Sequence, residues 1–194
     1  YLCANGLDAA TPLPSANAVL VEPVGEFFAS AFTWAQGEAV GRGNIGQLRQ
    51  RGLLGAWGRA IGSIHRLTRT YVPPAGHGSR PDWREERLTG IGERLRPQDA
   101  ELEPLMAETV ARVAALPRRP DSFGLIHTDA HPGNFRVHEQ GLTLFDFDDC
   151  AYHYFASDIA IALYYSLWLL PDDEAPTEFA TSFLEEFLQG YTRE

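Results

Sequence analysis

An α+β fold is what this 194-residue sequence predicts, and three observations predict it. The opening holds short runs rich in Val, Phe and Trp, broken by turn residues. From Ile45 the apolar spacing switches to a helical period. Strand character then returns in one compact stretch after Pro120, and two helical segments close the chain.

The strand-like runs at the start are 18–23 (AVLVEP) and 26–34 (EFFASAFTW), with Pro12, Pro14, Asn17 and Gly25 as punctuation. Joined by Pro23-Val24-Gly25, they form a plausible antiparallel pair, and Gly41-Arg42-Gly43-Asn44 follows as a flexible connector. Leu53, Trp57, Ile61, Ile64 and Leu67 then recur at three- and four-residue spacing, predicting one long helix from about Ile45 to Tyr71. Gly52, Gly55, Gly58 and Gly62 within it each cost roughly 1 kcal/mol against alanine, which points to close packing on a neighbour. A Pro/Gly-rich loop (72–81) precedes a second helix starting near Asp82 and a third from about Gln98 to Leu116. Strands are expected at 123–127, 135–137 and 142–145, the last two joined by His138-Glu139-Gln140-Gly141 as a hairpin loop. Ser157 is the expected cap of a helix from Asp158 to Leu170, and Thr177 that of one from Glu178 to Leu188.

Composition excludes several functions. There are 26 acidic and 16 basic side chains, a formal charge of −10, and every basic residue is arginine. Without lysine there is no Schiff-base chemistry, no Walker-A lysine and no kinase strand lysine. The acidic balance argues against nucleic acid or an anionic membrane as main partner. The apolar run 159–170 is interrupted by Tyr164, Tyr165 and Ser166 and is shorter than the roughly 20 residues a membrane span takes. Cys3 and Cys150 make no disulfide framework, so a reducing cytoplasm is the expected compartment.

Nearly all the chemical signal lies in 126–135 (IHTDAHPGNF) and 144–149 (LFDFDD). Asp129, Asn134, Asp146, Asp148 and Asp149 gather four carboxylates and a carboxamide onto one loop and the hairpin beyond it. Hard oxygen donors of this kind suit Mg²⁺, which usually bridges to substrate phosphates. Like charges about 4 Å apart repel by roughly 4 kcal/mol at an effective dielectric of ~20, so the cluster calls for a cation.

His127-x-Asp129, Asn134 and then Asp146-Phe147-Asp148 resemble the catalytic loop and metal motif of the aminoglycoside phosphotransferase and choline kinase superfamily. Tyr154-Phe155-Ala156-Ser157-Asp158-Ile159-Ala160 resembles that family's helix carrying a structural aspartate. His65-Arg66-Leu67-Thr68 with Arg80-Pro81-Asp82-Trp83 resembles its stress-response-kinase branch. The resemblance implies a protein-kinase-like fold: residues 1–36 as the end of a β-rich N-terminal lobe and its hinge, and 37–194 as a helical C-terminal lobe. It implies Asp129 as the base that takes the substrate hydroxyl proton, and Asn134, Asp146 and Asp148 as holders of Mg²⁺ against ATP (or GTP). Phe32, Thr33, Trp34 and Ala35 would be the hinge at the adenine, with His127, His131 and Asp158 supporting the site. The acceptor expected is a small hydroxyl-bearing molecule such as an aminoglycoside, choline or a homoserine-like compound. The family's glycine-rich loop and lysine precede the segment that Leu2 to Asn17 resembles. The expectation is therefore a central portion of a kinase, poorly active alone.

Other readings stand beside these. Asp158 at a helix start is also an ordinary favourable carboxylate near the dipole. His65, His77, His138 and His153 lack partners at ligand spacing and read as structural or surface residues, Cys150 as small core, Asp149 as solvated, and Trp83, Tyr152 and Tyr154 as packing. Alternate placement of His127, Asp129 and His131 would suit a zinc hydrolase, but Pro132-Gly133 breaks the strand. The strand with Asp146-Phe147-Asp148 is similar to that of haloacid-dehalogenase phosphatases, which need a later lysine. A degenerate nucleotide-binding or scaffold module is the non-enzyme alternative, favoured by the absent lysine and opposed by Asp129.

Overall fold

Three apolar residues one helical turn apart, Trp57, Ile61 and Ile64, are essentially without solvent contact and form the centre of the core. They lie on α1 (Leu53–Thr68). The computed structural model describes residues 1–50, 52–76, 78–85 and 95–194, the side chains of 42–44 excepted. The expected helix from Ile45 is not continuous: Arg42–Arg49 is a 3-10 segment, and Gly52 at φ 87° resets the backbone before α1 begins. That segment also replaces the connector expected at Gly41–Asn44.

The Val/Phe-rich opening yields only short strands: β1 (Pro12–Leu13), β2 (Glu22–Val24), β3 (Phe27–Ala29) and β4 (Ala31–Phe32). β2 pairs with β3 as a hairpin and β1 with β4, while residues 18–21 fall outside strands. Of the helix expected at Asp82, the described part is one 3-10 turn, Trp83–Glu85, and the remainder (86–94) lies outside the described residues, as does His77. The third helix is α2 (Leu102–Ala114), shorter at both ends than the spacing suggests.

β5 (Phe123–Ile126) enters the site, and β6 (Phe135–His138) and β7 (Gly141–Leu144) form the hairpin beyond it. β8 (Ala151–Tyr154), unmarked by any sequence signal, pairs antiparallel with β5. Among the described residues the strands form four two-stranded sheets. α3 (Phe155–Trp168) starts directly from β8, with Tyr154 at its N-cap and not Ser157, which lies inside the first turn. α4 (Pro176–Tyr191) likewise starts after Ala175, with Pro176 in its first turn and Thr177 already helical. Pro is pre-organised for a helix start and gives up no hydrogen bond there.

α1 and α4 pack closely enough to explain the glycines. A Cβ on Gly58 would stand 2.0 Å from the Phe187 carbonyl oxygen, and one on Gly190 would stand 1.9 Å from that of Gly55. Both obstacles are backbone, so neither can swing aside. The approach lets Trp57 meet the rings of Phe135, Phe183 and Phe187 at 4.8, 5.7 and 5.7 Å, tying hairpin, α1 and α4 into one core. Gly58→Ala should therefore overpack this seam and cost about 1–3 kcal/mol in denaturant unfolding despite alanine's better helix propensity.

Asp82 fastens the edge of β8. Its carboxylate accepts from Arg118 (2.6 and 3.1 Å) and from Arg84 Nε (2.9 Å), and Tyr152 N–H donates to Pro81 O (2.8 Å). Burial pushes this carboxyl up, but the hydrogen bonds from Arg118 and Arg84 outweigh it and hold it well below the usual range. A carboxyl depressed in the folded state stabilises above its unfolded value and loses that effect on acidification. The stability advantage of the native chain over Asp82→Asn should thus be complete at neutral pH and shrink as pH falls below about 5. Urea titrations at several pH values would check it.

Candidate active site

β5 delivers His127 to a loop whose backbone is strained at a defined place. Thr128 has φ 67°, a left-handed conformation rare for a β-branched residue. Two contacts hold it there: its N–H donates to Asp158 Oδ1 at 2.7 Å, and its hydroxyl donates to Asp149 O at 2.6 Å. Asp158, on the first turn of α3, is wholly buried. Its Oδ2 accepts from His127 N–H (3.0 Å) and from His65 Nε2 (3.0 Å). Of the two readings of Asp158, the geometry is that of a tether to the loop, with the helix dipole an addition.

His127 is buried. Its Nε2–H donates to Phe145 O (3.2 Å), its Nδ1 faces Asp129 N–H at 3.4 Å, and its ring lies 4.5 Å from that of Phe147. It therefore links the loop to the Asp146-Phe147-Asp148 turn. His131 Nδ1 accepts from Gly133 N–H (2.8 Å), which leaves its Nε2 toward Asp129 Oδ2 at 3.6 Å, while the ring contacts Tyr165.

Asn134 brings the pieces together. Its Nδ2 donates to both the carbonyl and Oδ2 of Asp129, each at 2.9 Å, and its own carbonyl accepts from Phe145 N–H at 3.0 Å. Asp129 Oδ1 and Asn134 Oδ1 engage no partner among the described residues. Asp146, at φ 64°, is the second non-glycine residue here in the left-handed region.

Asp146 and Asp148 are exposed and border a cavity of about 500 Å³ together with Phe32, Thr33, Trp34 and Ala35. The proposed hinge and the acidic turn thus line one cleft. Thr33 N–H is spent on Thr11 O (2.9 Å), whereas no hydrogen bond among the described residues engages the backbone of Trp34 or Ala35. Two arginines to which the sequence reading gave no role in the site also line the cleft. Arg80 donates to Asp148 O (2.7 Å) and Phe147 O (3.3 Å), and Arg136 lies over the Phe145 ring at 4.8 Å. Arg80 belongs to the Arg80-Pro81-Asp82-Trp83 stretch, but that resemblance implied no contact with the acidic turn, and no motif marks Arg136.

Among the described residues no three His, Cys, Asp or Glu side chains converge as a metal cage. The ring nitrogens of His127 are engaged by backbone groups, which argues against the zinc arrangement with Asp129 and His131. A site of one carboxamide oxygen and one or two carboxylates still fits Mg²⁺, which takes few protein ligands and leaves the rest to water and phosphate. Cys150 is half-buried, and burial pushes its thiol up to about 12, so it carries no nucleophilic role here. His65, read as structural or surface, is buried and hydrogen-bonded between Asp158 and Tyr191, partners that lie far from it in the sequence.

The sequence profile of the phosphotransferase enzyme family (APH) matches residues 1–194, and the chain belongs to that family. It is 31% identical to amicoumacin kinase of Bacillus subtilis (strain 168) over 201 residues, covering 100% of this chain and 58% of the relative. Among solved structures it is similar to the amicoumacin kinase hAmiN in complex with AMP-PNP, Ca²⁺ and Ami. The TM-score is 0.90 at 30% identity, over 100% of this chain and 59% of that one. The aminoglycoside phosphotransferase APH(3'')-Id of Streptomyces rimosus, with ADP and streptomycin, shares the fold: TM-score 0.66, 16% identity, 98% of this chain and 71% of that one. The chain thus spans under three fifths of the length of the two amicoumacin kinases it matches. No helix among the described residues is long and apolar enough to cross a membrane.

Removing the buried carboxylate tests the tether directly. Asp158→Ala strands three N–H donors at once, and denaturant unfolding should show a loss of about 3 kcal/mol or more.

Proposed function

We propose that these residues form the catalytic and metal-holding half of a kinase that moves the γ-phosphate of ATP, or GTP, to a hydroxyl of a small molecule with Mg²⁺. The observation that carries this reading is Asn134. One carboxamide pins Asp129 Oδ2 through Nδ2, its backbone fixes the strand leading into Asp146, and its Oδ1 stays available for a cation. Residues 1–36 then read as the end of an N-terminal lobe with the hinge, and 37–194 as the helical lobe carrying the catalytic loop.

Phosphoryl transfer passes through a loose transition state, so the protein's work is positioning and charge neutralisation. Asp129 Oδ1 accepts the proton of the attacking hydroxyl while Oδ2 stays fixed by Asn134. His131 stands beside the pair and restricts the direction from which the acceptor approaches. Asn134 Oδ1, Asp146 and Asp148 would hold Mg²⁺, which when bound neutralises phosphate charge. The backbone of Trp34 and Ala35 offers hydrogen bonds to the nucleobase, and the exposed Phe32 and Trp34 offer flat apolar surface. The nucleotide analogue and Ca²⁺ in the similar amicoumacin kinase structure support a nucleotide and a divalent ion. Amicoumacin is accordingly the first acceptor to try, followed by aminoglycosides, choline and homoserine-like alcohols.

In the full-length protein, Asp129→Ala should abolish phosphoryl transfer while nucleotide affinity, measured by calorimetry, stays within a few-fold. Asp146→Ala should weaken metal and nucleotide binding together. Unchanged kcat in Asp129→Ala would remove the base assignment.

A further inference from the structure

We propose that Arg80 is a positioning residue for metal binding: it fixes the backbone of the acidic turn, and through that backbone the places of Asp146 and Asp148 in the cleft. The proposal rests on the reading of those two carboxylates as metal holders. Residues 145–150 belong to no strand or helix, so no ladder of hydrogen bonds sets their shape. Asp146 is in the left-handed region, and Asp146, Asp148 and Asp149 are all exposed, three like charges within four residues. Such a turn keeps one shape only where groups from elsewhere hold its carbonyls.

Side chains hold four of them. His127 Nε2–H donates to Phe145 O (3.2 Å) and the Thr128 hydroxyl to Asp149 O (2.6 Å), both from the loop that carries Asp129. The carbonyls of Phe147 and Asp148 are held by Arg80, whose Nη1 donates to Asp148 O at 2.7 Å and Nη2 to Phe147 O at 3.3 Å. One planar guanidinium thus spans two successive peptide groups, a fork that a lysine ammonium lacks. Among the described residues the guanidinium pairs with these carbonyls and with no carboxylate. Asp146 and Asp148 keep their oxygens for a cation, while a positive charge beside them offsets their mutual repulsion.

The base of the side chain is itself anchored. Pro81 O accepts from Tyr152 N–H at 2.8 Å, and Asp82 bridges to Tyr152, so this stretch runs parallel to the start of β8. Trp83 is buried and stacked on His153 at 5.2 Å and 24°. β8 begins at Ala151, directly after the turn, so a residue fastened beside β8 has the turn within reach. Arg80 is exposed, and surface substitutions seldom alter global stability much. What the fork contributes is the shape of the turn.

The test uses full-length protein with two variants: Arg80→Met, which removes the donors, and Arg80→Lys, which keeps the charge without the fork. The ligands are Mg²⁺ with AMP-PNP, or with GMP-PNP if guanine is the base bound, and the matching nucleoside without metal, each followed by calorimetry. Groups that orient metal ligands are worth roughly 10- to 100-fold in metal affinity. Arg80→Met should accordingly weaken Mg²⁺-dependent binding of the analogue by about tenfold or more, with nucleoside affinity within about twofold. Arg80→Lys should recover only part of that loss. Hydrogen exchange of the 146–150 backbone should accelerate in Arg80→Met, with the denaturant midpoint unchanged. Unchanged Mg²⁺-dependent affinity in Arg80→Met would overturn the proposal at any exchange rate. So would an equal loss of nucleoside affinity, or full recovery in Arg80→Lys. If Arg80→Met does not fold, Arg80→Lys decides: full affinity would overturn it. Exchange needs no metal, so failure of the metal assignment, read from Asp146→Ala, stays distinguishable from failure of the hold on the turn.

Discussion

A carboxylate buried without solvent contact must be matched by donors, and Asp158 takes three from two different parts of the chain: His65 on α1, and the backbone of His127 and Thr128. This requirement organises the site. It fixes where α3 starts, since the acceptor must sit one turn below β8. It fixes how α1 lies, since His65 must reach it. It also holds the peptide of Thr128 in a conformation that a β-branched residue otherwise avoids. Breaking any member leaves the others buried and unpaired, which is why the arrangement is stiff.

The site itself is built on a second constraint of the same kind. Asn134 can donate twice and accept, and it uses both donations on Asp129. With that carboxamide held by Asp129, its Oδ1 is left without a partner among the described residues. Asp146 and Asp148 remain exposed in the cleft that the 32–35 stretch also lines. The core beneath serves this geometry: Trp57 packs the β6 residue Phe135 directly, so the hairpin that carries the turn stands on α1 and α4.

The candidate window was readable because its residues lie close in sequence and its chemistry is dense: Asp129, Asn134, Asp146 and Asp148 fall within one loop and one hairpin. Periodicity likewise gave α3 and α4 to within a few residues and the end of α1, but not its start, which Gly52 sets eight residues after Ile45. Helix starts were less legible. Ser157 and Thr177 have capping side chains, yet Tyr154 and Ala175 occupy the cap positions, because β8 and Pro176 set where each helix can begin. β8 carried no signal, since Ala151-Tyr152-His153-Tyr154 becomes a strand only by pairing with β5. The opening strands are short because residues 18–21 have no partner strand among the described residues, whatever their propensity.

By itself, the sequence determined which chemical groups are available: an Asp–Asn pair near a double-acid turn, arginine as the only basic residue, and an apolar stripe with glycines placed for close helix contact. Those are local properties, written in residue type and spacing. Which groups meet was decided only by tertiary structure. His65 lies 93 residues from Asp158, and the His65-Arg66-Leu67-Thr68 stretch around it does not say which residue it reaches. Arg80 reaches the acidic turn across a separation of 68 residues in the same way. Burial and hydrogen-bond direction arise when distant segments are packed together, and spacing along one segment cannot encode them.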